Sequence, residues 1–197
     1  MLGSINPLGE RARGSRWGVT VAALAVGAVA GGGAIGVVLG GAGHVLLGSV
    51  SPVARVAALA GALVAGAAFD GRLLGLRLPS IRRQVNEDWL GRYRGWVVGA
   101  AFGAQLGVGV VTVVTTSAVY AVLVAAVLTA SPLAGFVVGA TLGAGRALAV
   151  LPAGRATDPR AAAALGRRMH EWERPARIAG AAAQVSLAGA LIVVAVT

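Results

Sequence analysis

GWVVGAAFGAQLGVGVVTVVTTSAVYAVLVAAVLTASPLAGFVVGATLGAG, residues 95–145, contains no charged residue. About 20 apolar residues cross a bilayer, so a stretch this long passes through one more than once. Trp17 to Gly43 is likewise free of charge. The 197-residue chain is 57% hydrophobic and 12% charged, against roughly 25% charged in soluble domains. These features predict an all-α, polytopic integral membrane bundle.

Five apolar segments stand out, at 17–48, 53–69, 95–130, 132–151 and 178–197. All seventeen basic residues other than histidine are arginine. Three precede residue 17, six lie between 70 and 94, seven lie between 146 and 177, and Arg55 stands apart. Positive charge favours the cytoplasmic side. The clusters therefore predict two spans, a cytoplasmic segment, two spans, a second cytoplasmic segment and a final span, with a cytoplasmic N-terminus. A three-plus-three-plus-one layout would place the second and third clusters on opposite sides. The arginines before Trp17 imitate a signal peptide, but the apolar run after them exceeds an h-region of roughly 7–15 residues; it reads as an uncleaved span. The Ala, Gly, Val, Leu and Arg bias points to a GC-rich bacterial source and hence to a bacterial cytoplasmic membrane. The net charge of +10 fits anionic headgroups of the lipid bilayer and not nucleic acid.

Two segments are too long for upright spans. At 1.5 Å per residue, 95–130 would reach ~54 Å and 17–48 ~48 Å, against a hydrocarbon core of ~30 Å. Each is expected to tilt, break or re-enter, with Gly31-Gly32-Gly33 and Thr115-Thr116-Ser117 as break points. An internal two-fold repeat accompanies them. Trp17 and Trp96 open the long segments, and Ser51-Pro52 and Ser131-Pro132 close them. Gly71-Arg72 and Gly145-Arg146 follow, then Leu78-Pro79 and Leu151-Pro152. The implied organisation is a cytoplasmic segment (1–16), a first repeat (17–94), a second repeat (95–177) and a final transmembrane helix (178–197).

Each repeat ends in an arginine-rich stretch with a helical apolar stripe. Ile81, Val85, Trp89 and Tyr93 recur in one, beside Glu87. Leu165, Met169, Trp172 and Ala176 recur in the other, beside Glu171. Both read as interfacial amphipathic helices. Trp89, Tyr93, Trp172, Glu87 and Glu171 are the candidates for docking a membrane partner or a second copy of the chain.

Within the spans, Gly32, Gly36, Gly40, then Gly99, Gly103, Gly107, then Gly135, Gly139, Gly143 form GxxxG ladders. Such ladders let helix backbones approach closely. Gln105, Thr112, Thr116 and Tyr120 share one helical face. A threonine can satisfy itself on its own i−4 carbonyl; a glutamine amide cannot and needs water or an interhelical bond, with Gln184 as a candidate partner. Asp70 and Arg146 fall at span ends and read as boundary anchors. His44 has no co-ligand nearby. With no cysteine and no nucleophile–base constellation, the sequence predicts no enzyme, no metal and no cofactor.

The "FGAQLGVGVVTVV" stretch after "RYRGW" resembles a span of the thiol-disulfide transporter family of cytochrome c maturation (CcdA/DsbD type), itself similar to lysine-exporter-like carriers of two related halves. Thr112 and Val113 stand about where that family has its Pro-Cys pair, so the family's electron transfer is not implied. A carrier-like fold is. The resulting expectation is a small-solute carrier or exporter with a midplane site lined by Gln105, Thr112 and Thr116. The alternative is a non-transporting membrane scaffold or accessory subunit.

Overall fold

The computed structural model describes residues 7–71, 93–109 and 116–196. Every regular element among them is helical: α1 (Pro7–Ala12), α2 (Trp17–Leu47), α3 (Pro52–Asp70), α4 (Gly95–Val108), α5 (Ala118–Leu128), α6 (Pro132–Leu148), a 3-10 turn (Leu151–Arg155) and α7 (Pro159–Val196). Four helices are long and apolar enough to cross a bilayer: α2, α3, α6 with its 3-10 extension, and α7. The amphipathic stretch bearing Glu87 and Trp89, and the positions Thr112 and Thr115, lie outside the described residues.

The helix starts follow from local chemistry. Ser51 Oγ accepts the Ala54 N–H at 3.3 Å and Ser131 Oγ accepts the Ala134 N–H at 3.4 Å. Proline follows each serine, where its missing N–H is no loss. Asp158 begins α7 in the same way, accepting from the Ala161 N–H at 2.8 Å.

Packing is organised around α2, which lies between α4 and α6. Along α4, Gly99, Gly103 and Gly107 face Thr20, Leu24 and Ala28 in turn, so α2 and α4 run parallel. Along α6, Gly135, Gly139 and Gly143 face Gly36, Gly32 and Ala28, so α2 and α6 run antiparallel. A methyl group on any of these six glycines would sit 2.0–2.3 Å from a backbone carbonyl oxygen of the facing helix. The same holds for Gly32, Gly36 and Gly40 on α2 itself. α3 packs antiparallel to α7, with Ala60 and Leu63 clustered with Ala188, and antiparallel to α5, with Gly66 against Ser117 and Arg55 donating to the Thr129 carbonyl. α2, α4, α5 and α7 thus point one way, α3 and α6 the other.

The two long apolar segments behave differently. The first does not break at Gly31-Gly32-Gly33; α2 is continuous. Those glycines receive neighbours instead: the Ala104 carbonyl at Gly31, the Gly139 carbonyl at Gly32 and the Phe136 ring at Gly33. Flanking helices hold the backbone straight where an isolated helix would be weak. The second segment does break. α4 and α5 are ~21 Å and ~17 Å long at 1.5 Å per residue, each too short to span alone. They run in series beside α2: Gly107 seats on Ala28 and Gly32, and Val127 meets Gly43 near the end of α2.

A further difference concerns the second amphipathic stretch. It is not a separate interfacial helix, because α7 runs unbroken through Pro175 into the final span. The residues from Glu171 to Arg174 are helix formers, and proline removes only one backbone donor. The arginine-bearing half of α7 is exposed, including Met169 and Trp172.

Gly36→Ala is expected to lower stability in detergent by about 1–3 kcal/mol through overpacking, although alanine is the better helix former. Gly61→Ala, whose added methyl meets nothing within 4 Å, is expected to be neutral or stabilising by up to about 1 kcal/mol. Paired denaturation curves check both.

Candidate functional site

A helix interrupted inside an apolar bundle leaves orphan carbonyls at one cut end and orphan N–H groups at the other. In lipid these must be satisfied within the protein. The break between α4 and α5 lies level with the middle of α2, and each cut end has its own ionisable side chain.

α4 ends at Gly109, whose φ of +85° turns the chain out of the helix. Glycine adopts this left-handed conformation without penalty. Arg146, near the end of α6, donates from Nη1 to the Gly109 carbonyl at 3.1 Å. A guanidinium suits the partial negative charge of a helix C-terminus.

α5 begins after Ser117, where α3 delivers Asp70. Asp70 Oδ1 accepts the Ser117 N–H at 2.8 Å, one of the N–H groups that a helix start leaves without an intrahelical partner. Its Oδ2 lies 2.8 Å from Ser117 Oγ and 3.0 Å from Gln184 Nε2 of α7. Ser117 Oγ is also 3.1 Å from Gln184 Oε1. Asp70, Ser117 and Gln184 are 4%, 3% and 5% exposed, so three helices share a buried polar cluster. Gly66 makes the room: a methyl there would stand 2.6 Å from Gln184 Oε1 and 2.8 Å from Ser117 Oγ. Thr116 adds a local cap, its Oγ1 accepting the Ala118 N–H at 3.1 Å.

The sequence-predicted residues are therefore redistributed. Thr116 and Gln184 belong to the break, and Tyr120 lies half-buried one turn along α5. Gln105 does not bond Gln184. It is half-buried on α4 and makes no hydrogen bond among the described residues; Gln184 lies on α7, which packs against α3 and not α4. Asp70 is no boundary anchor; it is buried and spent on the α5 terminus. The available signal was its isolation, as no other carboxylate occurs from Trp17 to Asn86. Tyr93, Glu171 and Trp172 are exposed. His44 approaches the Ala130 carbonyl at 3.2 Å through Nδ1. Among the described residues no group of three potential ligands could hold a metal.

A second polar feature lies where α1 meets the starts of α2 and α4. Glu10, 1% exposed, pairs with Arg13 and accepts from Thr20 Oγ1 at 2.6 Å. A cleft of about 660 Å³ opens beside it, lined by Arg16, Tyr93, Arg94 and Trp96 among others.

No family model and no solved structure matches the chain. Two curated proteins do, both named methylamine utilization protein MauF. The one from Methylorubrum extorquens is 39% identical over 118 residues, covering 58% of this chain and 40% of the relative. The one from Methylophilus methylotrophus is 32% identical over 151 residues, covering 76% of this chain and 53% of the relative. The chain thus spans about half the length of the curated relatives it matches. Neither bears the name of the thiol-disulfide or lysine-exporter-like carriers.

A double-mutant cycle of Ser117→Ala with Gln184→Ala is expected to show a coupling of about 0.6–1.7 kcal/mol, the range for hydrogen bonds between membrane helices. Gln105→Ala is expected to change stability by less than about 0.5 kcal/mol. Unfolding in mixed micelles separates the two.

Proposed function

We propose that the chain is a multi-pass protein of the bacterial cytoplasmic membrane that carries a small polar solute past the break between α4 and α5. The observation behind this is the pair of cut helix ends, one held by Asp70 and the other by Arg146, halfway along an apolar bundle. Transporters bind substrates and coupling ions at such discontinuous helices, and an ionisable group buried among membrane spans marks a pathway by default. Sidedness follows from charge: Arg16, Arg94 and Arg155 gather at one end, where Trp17 stacks on Gly154, and we assign that end to the cytoplasm. The name of the relatives supports a place in methylamine utilization. The resemblance to two-repeat carriers supports the interrupted helix alone, since the chain has no cysteine.

A second reading is favoured by one observation. The first half of α7 stands clear of the bundle, with Trp172 68% exposed. A membrane subunit would use this half to dock a protein partner, and the relatives' name suits such a role as well.

Reconstitution into proteoliposomes separates them. With radiolabelled methylamine as the first solute and a panel of small polar solutes after it, the carrier reading expects uptake. It also expects Arg146→Gln to reduce the initial rate about tenfold or more, about 1.4 kcal/mol. Absence of flux for the whole panel, with a co-purifying protein released by Trp172→Ala, establishes the subunit reading instead.

A further inference from the structure

The cluster at the α5 terminus poses a question of proton number. Asp70 Oδ2, Ser117 Oγ and the Gln184 amide form a triangle with sides of 2.8, 3.0 and 3.1 Å. All three are hydrogen-bond distances, so each side requires a proton. The serine hydroxyl contributes one and the amide N–H a second. An ionised carboxylate contributes none, and the Asp70 Oδ1 is already occupied as acceptor of the Ser117 N–H.

Turning the amide over does not help. With Nε2 on Asp70, the single hydroxyl proton has to serve both Asp70 Oδ2 and Gln184 Oε1. With Nε2 on Ser117, the amide oxygen faces the carboxylate oxygen with nothing between them. Either way one side is a buried contact of two acceptors.

We propose that Asp70, Ser117 and Gln184 form a proton-binding site, in which Asp70 carries the third proton. The ring then closes in one sense. The Asp70 O–H donates to Ser117 Oγ, the Ser117 O–H donates to Gln184 Oε1, and the Gln184 N–H donates to Asp70 Oδ2. The third proton also removes a net charge from a residue that is 4% exposed, where an unpaired ion is costly.

Among the described residues the surroundings bring no cation to do this instead; Arg72, two positions beyond Asp70, lies outside them. Among the described residues, none makes an ion pair with Asp70. On α3 itself the other charged residue is Arg55, fifteen positions earlier, or ~22 Å along the helix, and bonded to the Thr129 carbonyl. α5 has no charged residue, and Tyr120 is its one titratable group. On α7 the nearest charged residue is Arg177, seven positions before Gln184, or ~10 Å. Arg146, on α6, is directed at the Gly109 carbonyl.

The site deepens the carrier reading by naming the coupling ion, and it rests on that reading only for this role. The proton itself is tested without transport. Infrared spectra of the full chain in lipid bilayers at neutral pH are compared with those of Asp70→Asn. The expected result is a protonated-carboxyl carbonyl band, shifted in deuterium oxide, that is lost in Asp70→Asn. A difference spectrum that instead shows only loss of ionised carboxylate bands overturns the proposal.

Stability provides a second measure. With the Gln184 amide turned over, the asparagine Nδ2 can donate to both Ser117 Oγ and Gln184 Oε1 while Gln184 Nε2 donates to Ser117 Oγ, so Asp70→Asn is expected to melt close to the wild type, while Asp70→Ala melts lower. Equal destabilisation by both would overturn the proton count. In proteoliposomes, an inward proton gradient is expected to accelerate uptake by the wild type and not by Asp70→Asn. Flux indifferent to the gradient overturns the coupling role. A protonated-carboxyl band without any flux upholds the site and removes the carrier reading.

Discussion

The structure depends on contact between helix backbones. Lipid tails are as apolar as leucine, so no hydrophobic force drives one span against another. Association rests on van der Waals contact and on hydrogen bonds between helices. α2 meets this constraint by presenting glycine toward α4 and α6, which answer with glycine ladders of their own. The carbonyl oxygen of one helix then lies where a side chain of the next would begin. This interdigitation fixes the relative height of α2, α4 and α6, and every feature of the site depends on that height.

It also explains how one long segment stays intact while the other breaks. Glycine weakens an isolated helix, yet the glycines of α2 have a backbone or a ring against them at nearly every turn. The described residues of the second segment have no such continuous support. α4 is held by α2 up to Gly107, and the chain then turns at Gly109 in a conformation open to glycine. α5 restarts against a different set of partners, α3 among them. The break exchanges intrahelical hydrogen bonds for side-chain ones, with Arg146 on the freed carbonyl and Asp70 on the freed N–H. A cation at a C-terminus is the sign that the helix dipole favours, and a carboxyl oxygen at an N-terminus accepts a freed N–H.

Such an arrangement provides more than structure. Aliphatic packing could have carried an unbroken helix here, as it does elsewhere in the bundle. Placing a carboxyl group, a hydroxyl and an amide in contact at 4%, 3% and 5% exposure gives the bundle one element whose hydrogen bonds depend on a mobile proton.

Properties that depend on neighbours a few residues apart can be read along the chain. Uncharged length announces membrane spans, small residues every four positions announce close-packed helix faces, and Ser-Pro pairs announce helix starts. The grouping of arginines is read as alternating passes, and four helices are long and apolar enough to cross a bilayer. Meetings between distant residues are set instead by how the helices pack. Asp70 reaches Ser117 across 47 positions and Gln184 across 114. Along the chain, Asp70 is merely the last residue before Gly-Arg, and Gln184 one polar position in an alanine-rich span. Gln105 is the converse case: its isolation in an apolar run demanded a partner, yet on α4 it makes no hydrogen bond among the described residues. Periodicity shows which face of a helix is small or polar. Which helix covers that face, and at what height, is decided by the fit of all the backbones together.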